Sequence, residues 1–129
     1  MPYTPRKGNE MIRSLASLGA GLATAILINA LAAIALRWPD MFWSLAWQWG
    51  LAVRLYVASA VGAFVAAKIA RRAPLLHATI AAVPSLMVSY AWWQSEDPLW
   101  LVVVIALSGV LGVISGVAFV MRARAPSAP

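Results

Sequence analysis

The chain reads as four apolar stretches separated by short polar or charged breaks. The first runs MIRSLASLGAGLATAILINALAAIAL from Met11 to Leu36, with one charge, Arg13, near its start. A helix of about 20 apolar residues crosses the hydrocarbon core of a bilayer, so this stretch is long enough for one tilted span. The same pattern predicts spans over about 12–36, 49–70, 74–93 and 99–121. A positive start followed by apolar and small residues, with ALA at Ala30–Ala32, also has the outline of an export signal. The run is longer than a signal core, so it is read as an uncleaved first helix. Pro39, Pro74 and Pro98 fall at predicted boundaries, where a missing amide hydrogen costs little. Pro84 interrupts the third span and predicts a kink, with Ser85 or a neighbouring helix attending to the freed carbonyl.

Within the spans, small residues recur every four positions. Span one carries Ser17, Gly21, Ala25, Asn29 and Ala33; span two Ala58, Gly62, Ala66 and Ala70; span four Ser108, Gly112 and Gly116. Lipid supplies no general hydrophobic force between helices, so close backbone approach along such rows carries the packing, and the rows are expected to face inward. The span-four row, with Gly109 beside it, equally suits a homodimer face. Asn29 lies on the row of span one near mid-membrane and predicts a hydrogen bond to Ser59, Ser85 or Ser108. Thr24, Thr79, Ser89 and Ser115 can satisfy themselves on their own helix backbone. The expected fold is all-α, an integral membrane four-helix bundle formed by one domain over residues 1–129.

Charge gives this pattern a direction. Arg6, Lys7, Arg13, Lys68, Arg71, Arg72, Arg122 and Arg124 fall on one side of the alternating spans, and only Arg37 and Arg54 on the other. Positive charge resists translocation, so both termini are expected in the cytoplasm. All seven tryptophans, Trp38, Trp43, Trp47, Trp49, Trp92, Trp93 and Trp100, fall at the opposite, extracytoplasmic side. Indole prefers the headgroup level, because its ring is apolar while its nitrogen donates a hydrogen bond.

Four of those tryptophans crowd into RWPDMFWSLAWQWGLAVR, residues 37–54. Pro39 and Asp40 suit a turn and helix start, with Asp40 capping the next amides. A short interfacial helix, or an extension of span two above the hydrocarbon, accounts for the rows Met41, Phe42, Leu45, Trp49, Ala52 and Trp43, Trp47. An unbroken helix from Asp40 to Arg72 would stand clear of the core, which predicts a bend near Gly50. The cluster reads as an anchor belt or as an aromatic platform for a ligand. Arg54 lies in the outer part of span two, where a charge must snorkel or find a partner; Asp40, Gln94, Glu96 and Asp97 are the candidates. A role for Arg54 beside a polar cavity or anion path stays open. His77, just after Arg71, Arg72 and Pro74, is expected at the cytoplasmic interface.

Composition narrows the chemistry. The chain is 63% hydrophobic and 11% charged, with a mean hydropathy of +0.81, far from a soluble domain. Its net charge of +6 sits at the ends of apolar runs, where it meets anionic phospholipid, so no nucleic-acid partner is expected. No cysteine and a single histidine exclude disulfides, thiolate metal sites and a histidine cluster within one chain, and no cofactor is expected. No acidic side chain falls inside the spans, which counts against a proton-coupled pump. Small multidrug exporters are similar in size and span number, yet their membrane-embedded glutamate has no counterpart here. The four-span fluoride channels are similar in length, but their Gly-Asn signatures are missing and their dual topology conflicts with the charge bias. No nucleophile and base stand at diagnostic spacing, and no glycine-rich phosphate loop is present.

Residues 62–84, GAFVAAKIARRAPLLHATIAAVP, join a small-residue helix, a two-arginine turn, PLLHA and another helix. This stretch resembles a pattern found in small uncharacterised bacterial inner-membrane proteins, and the resemblance implies a multi-pass location in that membrane. Two functional expectations follow. One is a non-enzymatic scaffold, accessory or lipid-interacting subunit, with membrane lipids, a second copy or a larger membrane protein as partner. The other is a small oligomeric channel or passive transporter using Asn29 and Arg54, with Ser85 and His77 as further polar positions.

Overall fold

The computed structural model describes residues 7–35, 45–91 and 98–126, and the side-chain surroundings at all of these except 33, 35, 45–48, 85 and 88–91. It is all-helical: α1 Lys7–Ala35, α2 Leu45–Ile69, α3 Pro74–Ala91 and α4 Leu99–Arg124. Three helices are long and apolar enough to cross a membrane, through the segments Lys7–Ala32, Trp49–Ile69 and Leu99–Arg124. Of the four expected spans three are thus matched by such helices, while in α3 the apolar segment Pro74–Pro84 reaches the first side chain outside the described set.

The helix ends differ from the apolar limits for a physical reason. Lys, Glu, Met and Arg are good helix formers, so α1 is already helical at Lys7, ahead of the apolar run, and α4 continues to Arg124, beyond Met121. α2 begins at Leu45 and passes through Gly50 without interruption, where the sequence predicted a bend. The rest of that Trp-rich stretch, residues 36–44, lies outside the described residues, and with it the predicted Asp40 cap. α3 stays helical across Pro84, although proline removes the amide that would bond to the Ile80 carbonyl. The side chain of Ser85, expected to attend to that carbonyl, is outside the described set.

α2 is central. It packs against α1, α3 and α4, and α3 also touches both outer helices. α1 and α2 run antiparallel: the Ser17 hydroxyl donates to the Ala66 carbonyl at 2.6 Å, while Gly21 faces Ala66 and Gly62, and Gly62 faces Ala25. α2 and α4 run parallel, with Gly109 against Leu55, Gly112 against Tyr56 and Ser59, and Gly116 against Ala60 and Phe64. The start of α1, the α2–α3 turn and the end of α4 therefore share one end. That turn is tight. Ala73 adopts φ 46°, a left-handed conformation costly for a residue with a Cβ, directly before Pro74.

The interior is mostly small side chains, joined by Leu55, Leu101, Val113, Val117 and Val120. Ala58, Ala66, Ala67 and Ala78 are fully buried, as are Ser17 and Ser59. Most large apolar side chains lie outside: Ile34 is 69% exposed, Phe119 67% and Leu99 73%. Of the three small-residue rows, Ser17, Gly21 and Ala25, then Ala58, Gly62, Ala66 and Ala70, then Gly112 and Gly116 are buried, whereas Asn29 and Ser108 are half-buried and the side chain of Ala33 lies outside the described set. This settles one alternative within the chain. The glycines of α4, Gly109 included, are filled by α2 and by Leu86 of α3, so they are an internal seam and not an open homodimer face.

Candidate functional site: the basic end and the Arg54 level

The last turn of α2 ends in carbonyls that run short of backbone donors, the Ala70 amide reaching only as far as the Ala66 carbonyl at 2.9 Å. Neighbouring helices supply the donors. Ser17 Oγ donates to Ala66, Arg13 Nε to Ile69 at 2.7 Å, and Arg124 Nη2 to Ala67, Lys68 and Ala70 at 3.0, 2.9 and 3.1 Å. Each carbonyl from Ala66 to Ala70 thus accepts a hydrogen from a side chain of α1 or α4. Cations suit this place, since a helix C-terminus carries the negative end of the backbone dipole.

Around this cap the end is strongly basic. Lys7, Arg71, Arg72 and Arg122 join Arg13, Lys68 and Arg124, and among the described residues Glu10 is the one carboxylate beside them. Glu10 meets Arg72 at 3.4 Å in an exposed pair, a contact worth at most about 1 kcal/mol. Lys68 extends along Phe64, with Nζ 5.5 Å from the ring centroid, and Phe64 meets Phe119 edge-on at 5.7 Å. An open cleft of about 410 Å³ lies between Arg71, Pro74, Met121, Arg124 and Ala125. His77 stands at this end as expected, half-buried, its Nδ1 3.0 Å from the Ala73 carbonyl, so it closes the first turn of α3.

The other polar level lies along α2 toward its start. Arg54 is half-buried, and its Nε is enclosed without a hydrogen-bond partner among the described residues. Its expected partners, Asp40, Gln94, Glu96 and Asp97, lie outside the described residues. The antiparallel register that sets Ser17 against Ala66 and Gly21 against Gly62 brings Asn29 to the level of Arg54. Two of the three predicted partners of Asn29 are lost to it. Ser108 Oγ donates to Val104 on its own helix at 2.8 Å, and Ser59 Oγ is buried without a partner among the described residues. The third, Ser85, is outside the described side chains. Helical serines and threonines turn readily to the carbonyl four residues back, as Thr24 and Thr79 also do here.

At the end opposite the basic one, Trp49 in the second turn of α2 and Trp100 in the first turn of the parallel helix α4 are 52% and 46% exposed. Trp38, Trp43, Trp92 and Trp93 lie outside the described residues, as does the side chain of Trp47. One contact was not foreseen: the Tyr56 hydroxyl donates to Ser115 Oγ at 3.0 Å on the open face of the α2–α4 seam. The parallel register that makes this pair was not readable from either helix alone. Among the described residues no three metal-ligating side chains converge. Comparison with family models, with curated proteins and with solved structures returns no match.

Proposed function

We propose that the chain is a small multi-pass protein of a bacterial inner membrane. It threads the bilayer four times, keeps both termini and the Lys68–Arg72 turn in the cytoplasm, and acts without catalysis as a scaffold, accessory or lipid-interacting subunit. The observation that carries this reading is the skewed distribution of size: the buried positions are mostly alanine, glycine and serine, joined by Leu55, Leu101, Val113, Val117 and Val120, while most leucines, isoleucines and valines lie outside. In water each large apolar side chain left exposed would forgo about 1.5–3 kcal/mol of burial. Among lipid tails it forgoes nothing, and close helix approach becomes the force that holds the chain together. The shorter α3 fits this scheme, because its 18 residues rise about 27 Å, close to the roughly 30 Å of a hydrocarbon core.

The chain has no native cysteine, so single cysteines test the threading cleanly. With a membrane-impermeant maleimide, Glu96→Cys is labelled in intact spheroplasts and Arg72→Cys only after permeabilisation. The reverse pattern overturns the topology. For the subunit role, native electrophoresis of gently solubilised membranes is expected to show the chain in a stoichiometric complex larger than its monomer or homodimer.

A second reading, a small channel or passive transporter, is favoured by the enclosed Nε of Arg54 at the level of Asn29. It requires that the purified chain conduct ions or small solutes in liposomes and that Arg54→Ala change that flux. Conductance with this dependence replaces the scaffold reading.

A further inference from the structure

We infer that the cleft between the α2–α3 turn and the end of α4 is a binding site for the phosphate headgroup of an anionic phospholipid, held between Arg71 and Arg124. The inference rests on the membrane reading above and names a ligand for its basic end. Three features of the cleft lead to it.

The first is the arrangement of the two arginines. Arg124 spends Nη2 on three carbonyls of α2, which anchors its guanidinium at the rim of the cleft. No described residue accepts from its Nε or Nη1. Arg71, from the α2–α3 turn, lines the same cleft and is exposed. A guanidinium presents paired donors to phosphate oxygens, and an anchored one loses little freedom on binding.

The second is the local lack of anions. Glu10 is engaged with Arg72, and no other described carboxylate is near to neutralise Arg71 or Arg124. An incoming phosphate therefore enters a positive field without displacing an ion pair. The third is the lining. Below the arginines the walls are Pro74, Met121 and Ala125, and Leu75 and Leu76, next along α3, are 54% and 58% exposed. A soluble phosphate would use the arginines and leave this apolar flank bare. A phospholipid uses both, its headgroup at the cleft and its chains along the helices, at the depth where α3 begins its apolar segment.

The test uses the full chain in a neutral detergent, titrated with dioleoyl phosphatidylglycerol, with dioleoyl phosphatidylcholine and with glycerol 1-phosphate, and read by native mass spectrometry. One phosphatidylglycerol is expected to bind in preference to phosphatidylcholine. Arg71 is exposed, so Arg71→Gln leaves the fold intact; it should weaken phosphatidylglycerol binding about tenfold, the loss expected for a charge-assisted hydrogen bond. Arg122→Gln removes an equal charge at the same end but outside the cleft, and should cost less than about twofold. Met121→Ser should weaken the lipid and not glycerol 1-phosphate.

Equal loss from Arg71→Gln and Arg122→Gln overturns the site in favour of diffuse attraction. Equal binding of the two lipids overturns it outright, and glycerol 1-phosphate competing at the concentration of the lipid reassigns it to a soluble phosphate. These results are separable from the membrane reading, which stands or falls on the cysteine labelling pattern and not on which lipid binds.

Discussion

α2 meets α1 along one flank and α4 along another, and the two seams use the same small residues in different ways. On the α1 side the helices are antiparallel and side chains do much of the joining. Ser17 and Arg13 donate to α2 carbonyls, and the glycines face alanine methyl groups as well as backbone. On the α4 side the helices are parallel and the backbones themselves are in contact. A Cβ on Gly112 would stand 2.5 Å from the Tyr56 carbonyl oxygen, and one on Gly116 would collide with the Ala60 carbonyl oxygen and stand 2.9 Å from the Phe64 nitrogen. Side-chain hydrogen bonds across this flank come from Arg124 at the basic end and from the exposed Tyr56–Ser115 pair. A seam of methyl groups can yield by small side-chain and helix shifts, whereas a seam of backbone atoms yields only if a whole helix moves.

The largest expected effect follows from that difference. Gly116→Ala and Gly112→Ala each force α4 away from α2, and overpacking of this kind costs about 1–3 kcal/mol. Thermal unfolding in detergent, followed by circular dichroism, should place both variants well below the parent chain. If either melts with the parent, the backbone contact on the α4 flank is not as close as the geometry gives.

The α1 flank should tolerate more. A Cβ on Gly62 meets the Ala25 methyl and the Gly21 carbonyl oxygen at 3.0 Å each, a few tenths of an ångström too near. Gly62→Ala is therefore expected to cost less than Gly116→Ala, by about 1 kcal/mol or more, measured in the same melts. The reverse order would mean that α1, not α4, is the tighter partner of α2. Gly21 is the exception on this flank, because its Cβ would reach Ala66 at 2.7 Å and Ala81 of α3 at 3.2 Å, where three helices converge.

Both seams were legible in the sequence, and for a single reason. Helices that approach closely need small residues at the crossing, and a period of four keeps those residues on one face. That rule picked out Ser17, Gly21, Ala25, Gly62, Ala66, Gly112 and Gly116, all of which are buried. The same rule could have found Ala63, Ala67, Ala78 and Ala82, which pack with Val113, Val117 and Val120 but were not singled out. Alanine is too common in apolar helices to mark a row without a glycine beside it. What the pattern could not give was partnership. Arg13 and Arg124 looked like flanking charges, because a one-dimensional reading places a charge at an end of a span but not against the carbonyls of another helix. Asn29 was assigned to serines by depth alone, and Ser108 prefers its own backbone. The α4 glycines fitted a second copy as well as they fitted α2, and only the folded register decides between them.

The smallest effect sets the baseline for the comparison. Gly19 lies on α1 beside the seam but faces outward, and a Cβ built there meets nothing within 4 Å. The substitution Gly19→Ala then changes only the helix itself. Alanine is favoured over glycine in a helix interior by about 1 kcal/mol in water. Part of that advantage is already realised in lipid, where an unfolded helix remains helical. Gly19→Ala should accordingly leave the melting temperature unchanged or raise it slightly, under the same detergent conditions that expose the loss in Gly116→Ala. A clear drop would place another surface against that face of α1, one that no described residue supplies.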